Sequence, residues 1–176
     1  MTATELPADW LTTWQGEMAA LLEPTLDLFE SAYGYPPDDN RVQSADDESR
    51  AAAARCEDAG PLPAALATFY ATIARVQLPD IAHGYFIHPP DLVLDHLASH
   101  KHVRLTEQGT GIVFGSDGGG ILFALDSAGQ VHRSTAASWY DDFEPTEPSL
   151  KQFLERLHRT TATFAGDTRH HASAGH

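Results

Sequence analysis

Residues 111–133 constrain the fold more than any other stretch of the chain. Three short runs, 111–114 (Gly-Ile-Val-Phe), 121–125 (Ile-Leu-Phe-Ala-Leu) and 130–133 (Gln-Val-His-Arg), are joined by Gly115-Ser116-Asp117-Gly118-Gly119-Gly120 and by Asp126-Ser127-Ala128-Gly129. Short apolar runs bounded by such turn clusters read as strands, so a β-meander is expected here. In its first turn, glycine supplies positive φ and Asp117 bonds its own backbone. A phosphate-binding reading of the glycines fails on context. A P-loop needs a Lys and a Ser or Thr, then a helix, whereas a strand follows here and Asp117 would repel the phosphate.

Helical periodicity flanks the meander. Leu62, Leu66, Phe69, Tyr70, Ile73 and Val76 predict one helix ending near Leu78-Pro79. Tyr85-Phe86-Ile87 reads as a short strand, and Pro89-Pro90-Asp91 opens a helix carrying Leu92, Val93, Leu94 and Leu97. After a proline-rich link, Ser149 caps a final helix with Leu150, Phe153, Leu154 and Leu157 facing inward. Residues 158–176 are expected to be the end of that helix and a disordered, His-containing tail.

The first 60 residues read differently. Trp10, Leu11, Trp14, Met18, Leu21 and Leu22 recur at helical spacing behind Asp9, Pro24 ends or kinks that helix, and Gly34-Tyr35-Pro36-Pro37 begins a loop. Residues 38–60 place Ser44 ahead of Asp47, a weak capping-box pattern, before an Ala-rich stretch with few packing side chains. A partly mobile surface helix is expected there, so residues 1–60 read as a helical, acidic extension or insertion beside a core domain of residues 61–157.

The length of 176 residues suits one domain. Acidic residues outnumber basic ones 25 to 11, a net charge of −14 with thirteen of the acids in the first 60 residues, so a phosphate backbone would be repelled and nucleic acid is not expected as a partner. No apolar run approaches a membrane span, and MTATELPADW lacks the basic and apolar regions of a signal peptide; a cytoplasmic protein is expected. The single cysteine, Cys56, sits in a polar Ala/Arg/Glu setting and reads as an incidental thiol.

Four groups of side chains carry possible chemistry. His96, His100 and His102 have suggestive spacing, but residue 97 is Leu where a zinc protease motif has its glutamate, so they read as surface histidines at a helix end and no metal or cofactor is expected. Ser116 and Ser138 lack a nucleophile-elbow motif and any fixed base. Asp141, Asp142 and Glu144 stand among Trp139, Tyr140 and Phe143. Aromatic anchors beside charges are what interfaces with cationic partners use, which makes Trp139, Tyr140, Asp141, Asp142 and Glu144 the candidate partner-binding residues.

Residues 61–157 resemble the SUKH superfamily, whose bacterial members are mostly immunity proteins of polymorphic toxin systems and whose fungal members include cell-wall-synthesis regulators. The resemblance rests on Pro61-Leu62-Pro63-Ala64-Ala65-Leu66-Ala67-Thr68-Phe69-Tyr70, on Phe86-Ile87-His88-Pro89-Pro90-Asp91, on Val113-Phe114-Gly115-Ser116-Asp117-Gly118-Gly119-Gly120 with Phe123-Ala124-Leu125-Asp126 and Gly129-Gln130-Val131, and on the helix from Ser149 to Leu157. It implies a single-domain α+β fold, a twisted, largely antiparallel sheet flanked by helices, and no catalysis. Gly115, Asp117 and Gly118 match the family's turn, with a structural role.

Two functional expectations follow. The first is a non-enzymatic immunity protein that binds and neutralises a cognate toxin, with charge complementarity favouring a basic toxin such as a nuclease. The second is an intracellular regulatory or scaffold protein of the same fold with no toxin partner. A small metal-dependent enzyme using His96, His100 and His102 is the weaker third.

Overall fold

The computed structural model describes residues 6–100, 102–107 and 109–175. In chain order the elements are α1 (Ala8–Tyr33), β1 (Arg41–Ser44), α2 (Asp47–Ala59), α3 (Ala64–Thr72), β2 (Ile73–Leu78), β3 (Tyr85–Ile87), α4 (Pro90–His100), β4 (Val103–Arg104), β5 (Thr110–Asp117), β6 (Leu122–Asp126), β7 (Val131–Ser134), β8 (Phe143–Glu147) and α5 (Leu150–Ala174). The eight strands form one antiparallel sheet in the order β1-β2-β3-β5-β6-β7-β8, with β4 also on β5, and the helices flank it. This is the α+β, single-domain architecture expected from the sequence, meander included.

The meander turn behaves as Asp117 foretold, with one difference. Asp117 Oδ1 accepts the backbone N–H groups of Gly119 (2.9 Å) and Ile121 (3.0 Å). The positive φ falls on Gly120, at 86°, and not on Gly118 or Gly119. Gly118 is required for space instead: a Cβ there would lie 2.1 Å from the His83 carbonyl oxygen, and one at Gly115 would lie 2.5 Å from that of Phe86. Both glycines let β5 lie close to β3 and the loop before it.

Sequence periodicity misplaced three boundaries. The helix expected from Leu62 to Val76 stops at Thr72, and Ile73–Leu78 is a strand. Its alternation of buried and half-buried residues and its β-branched Ile73 and Val76 suit a sheet, and pairing with β1 and β3 decides the matter. Pro24 does not end α1, which runs through it for 26 residues. Pro24 and Ala20, whose carbonyl loses its donor, are both exposed, while Leu11, Trp14, Met18 and Leu22 before the proline and Thr25 and Phe29 after it bury one continuous stripe. That packing outweighs the roughly 3 kcal/mol penalty of an interior proline.

The tail is the third correction. Helix α5 continues to Ala174 and lies along α1, burying Thr161, Ala165, Thr168 and Ala172. These small residues carry little hydrophobic signal but allow the two helices to approach closely. The Thr161 and Thr168 hydroxyls donate to the carbonyls of Leu157 and Phe164 in their own helix, which permits their burial. Trp14 Nε1–H donates to the Leu154 carbonyl at 2.8 Å, Tyr33 Oη meets Thr168 Oγ1 at 3.0 Å, and Phe164 stacks on both Phe29 and Tyr33.

Residues 6–60 pack into the same sheet and helical layer as the rest of the chain. Strand β1 pairs with β2, and α2 packs on α4 with Ala52 and Cys56 buried. The α2 capping box uses Asp46 and Ser49, two residues on from the expected Ser44 and Asp47. Cys56 Sγ–H lies 3.0 Å from the Pro90 carbonyl, and burial pushes its thiol pKa up, so the polar setting read from its neighbours gives way to a core thiol.

Two apolar clusters lie on opposite faces of the sheet. The larger, under α1, α3 and α5, includes Ile112, Phe114, Phe123, Leu125 and Val131. The smaller holds Val103, Leu105, Val113, Leu122, Ala124 and Phe143, with Trp139 against it. The sheet curls around this second cluster, because Leu105 bridges Phe143 and Thr106 donates both its N–H and its hydroxyl to the Phe143 carbonyl.

Two outcomes check this description. Deleting residues 166–176 should lower the melting temperature by about 5 °C, roughly 2 kcal/mol for a chain of this size, because buried Thr168 and Ala172 leave with the segment. Gly118→Val should unfold or severely destabilise the chain, whereas Gly119→Val, whose nearest obstacle is the Asp117 carboxylate at 3.4 Å, should cost under about 1 kcal/mol in urea unfolding.

Candidate functional site

The segment between β7 and β8, residues 135–142, is closed at its base by Thr135 N–H donating to the Asp142 carbonyl (3.0 Å) and braced inside by Tyr140 N–H donating to Ser138 Oγ (3.1 Å). Trp139 anchors it. Its indole stacks on His100 of α4 (centroids 4.4 Å apart, 10° between planes) and meets His96 edge-on at 4.7 Å. With the anchor half-buried, Tyr140 stands 86% exposed at the tip, beside exposed Asp141 and Asp142.

Glu144 departs from this group. It lies in β8 next to Phe143, which points into the smaller cluster, so alternation turns Glu144 to the α5 side, opposite Arg133 in the register. Of the five candidate partner-binding residues, four share one loop and one faces the other side of the sheet.

Behind Trp139 the ladder of rings continues inward. The His96 ring lies 5.4 Å from that of His88, which is 8% exposed and places Nε2 3.0 Å from Ser116 Oγ. The Tyr70 hydroxyl donates to the His88 backbone carbonyl at 2.6 Å, fixing this end of the ladder against α3. Nδ1 of both His88 and His96 is buried without a hydrogen-bond partner. Burial, with His96 as a neighbouring positive charge, pushes the His88 pKa down to about 4. His96 shifts down as well, first through burial and then through His100, against an opposing pull from Asp95.

This ladder was only partly visible in the sequence. His96 and His100 share a helix face as their spacing required, but His102 lies apart from them, near Gly60 and the start of α3. Among the described residues no group of three or more His, Cys, Asp or Glu side chains is placed to hold a metal ion. Ser116, for which the sequence offered no base, has His88 beside it; 28 residues separate the two, so only the pairing of β3 with β5 brings them together. The imidazole's reduced basicity makes it a poor general base near neutral pH.

No protein-family model matches the chain. No curated protein matches its sequence. Among the described residues no helix is long and apolar enough to cross a membrane.

The buried histidines set a pH dependence. His88 titrates near 6.5 when exposed and at about 4 in the fold. The unfolded chain therefore binds its proton more readily across that interval, and stability falls as pH drops from about 6.5 toward about 4. Urea unfolding should show a loss of about 2 kcal/mol from His88 between pH 7 and pH 5. His88→Gln should flatten that slope, and an unchanged slope would refute the assignment.

Proposed function

We propose that this chain is a non-enzymatic interaction protein, an immunity protein that binds and neutralises a cognate basic toxin of a polymorphic toxin system, with residues 139–142 as its contact. Support comes from the SUKH resemblance of residues 61–157 and from the acid excess. The observation that carries the reading is the exposed tip itself: Tyr140 projects from a segment held by the Trp139–His100 stack, beside two acids, Asp141 and Asp142, that no base engages among the described residues. A protruding aromatic on a braced support is what an interface anchor requires, because little conformational entropy remains to be lost on docking. Asp141 and Asp142 would steer a basic surface toward it.

The N-terminal acids fit the role less well, since several are engaged within the fold. Asp46 caps α2, Asp39 pairs with Arg41 at 3.2 Å and Asp47 with Arg50 at 3.7 Å.

Affinity capture on the full chain, followed by binding kinetics with the recovered protein, tests this reading. A basic protein should be recovered whose own activity the chain abolishes. Asp141→Lys with Asp142→Lys should slow association about tenfold at low ionic strength and leave the melting temperature unchanged, and Tyr140→Ala should speed dissociation by about tenfold or more. Recovery of no such protein, or association that neither salt nor charge reversal alters, would overturn it.

A further inference from the structure

The α5-facing side of the sheet does not remain apolar to its end. Phe123 and Arg133 face each other across β6 and β7, Tyr85 and Asp117 across β3 and β5, and Glu147 follows on β8. Helix α5 passes over them with Phe153, Arg156, Leu157 and Thr160, leaving a cleft of about 330 Å³ between helix and sheet. That volume lies within the range of small-molecule sites.

The cleft has an aromatic floor and a guanidinium wall. Phe123 and Phe153 meet edge-to-face with centroids 5.0 Å apart, each with 8% of its surface still exposed. Arg156 Nη1 donates to Glu147 Oε1 at 3.0 Å, leaving its other nitrogens to a second acceptor. Arg133 has no carboxylate within 4.0 Å among the described residues, although Glu144 is its cross-strand neighbour. Asp117, the other acid on the wall, has one carboxylate oxygen occupied by two backbone N–H groups. In a chain of net charge −14, two arginines with unused donors over a partly exposed aromatic floor mark a site suited to an anion with an apolar body.

We infer that this cleft binds a small aromatic carboxylate, its ring against Phe123 and Phe153 and its carboxylate between Arg133 and Arg156. The planar guanidinium offers paired donors to a carboxylate, and aromatic rings favour edge or offset contact with the floor. The cleft opens along α5 into a second hollow that shares Glu147, Arg156 and Thr160 with it, which provides an entry path. Trp139 packs on the opposite face of the sheet, so this site stands independently of the proposed toxin contact.

Phenylacetate is the probe, with 2-phenylethanol as its neutral counterpart, titrated into the full chain by two-dimensional NMR. Phenylacetate should give saturable shifts centred on Phe123, Arg133 and Phe153 with a dissociation constant of about 1 mM or tighter, and the alcohol should bind at least about tenfold more weakly. Arg133→Gln should weaken phenylacetate about tenfold without changing the melting temperature, because Arg133 is exposed and unpaired among the described residues. Glu147→Gln should tighten it about threefold by removing the anion that competes for Arg156, an effect opposite in sign to simple damage of the fold. Shifts absent up to about 20 mM, shifts centred elsewhere, equal binding of the alcohol, or indifference to Arg133→Gln would each overturn the inference.

Discussion

Strand β5 hydrogen-bonds to β3 and β4 along one edge and to β6 along the other, and the rest of the molecule is arranged around it. Its crowding is tolerable only because Gly115 and Gly118 present no side chain to the carbonyls of Phe86 and His83. Plain alternation sends Ile112 and Phe114 into the larger apolar cluster and Val113 into the smaller, and a register shift between Val113 and Gly115 then brings Ser116 opposite Leu122, on the face of Val113. Ser116 emerges beside His88 as a result. The match of Gly115 and Gly118 to a family turn thus acquires a physical content: they are points of backbone contact, not of backbone twist.

The two faces of the sheet carry different chemistry for the same reason. On one, the large cluster under α1 and α5 gives way at its margin to arginines and acids, where α5 no longer seals the sheet. On the other, a smaller cluster is completed by Trp139, whose stack on His100 joins the exposed loop to a line of increasingly buried imidazoles. These imidazoles are buried in the uncharged form, and keeping them so grows more costly in acid, so the support for the Tyr140 tip and the acid sensitivity of the fold share one set of rings.

Sequence reading worked where a local pattern and the tertiary environment agreed. Asp117 and its glycines foretold a turn, Ser149 foretold a helix start, and the strand–turn–strand series foretold an antiparallel meander, since each signal lies in residues that touch their own neighbours. The failures have a common form. Helix α5 beyond Leu157 buries Thr and Ala, which look like surface, while α3 and β2 share apolar residues whose spacing continues a helix across a real boundary. Strand β1, four residues with no fully buried side chain, owes its existence to the β2 edge and could not have been read from Arg-Val-Gln-Ser alone.

By itself, then, the sequence determined the class of fold, the central meander, the chemistry of its turn and the presence of aromatic and acidic residues together at 139–142. Tertiary structure decided which of these share a surface. It turned Glu144 away from Trp139, set His88 beside Ser116 and His96 beside Trp139, and brought Arg133 to Arg156 across a cleft. Such juxtapositions depend on strand register and helix packing between segments far apart in the chain, and a shift of one residue in register moves a side chain to the opposite face. Composition and spacing carry no record of that choice, because it is made by burial of the whole apolar surface at once.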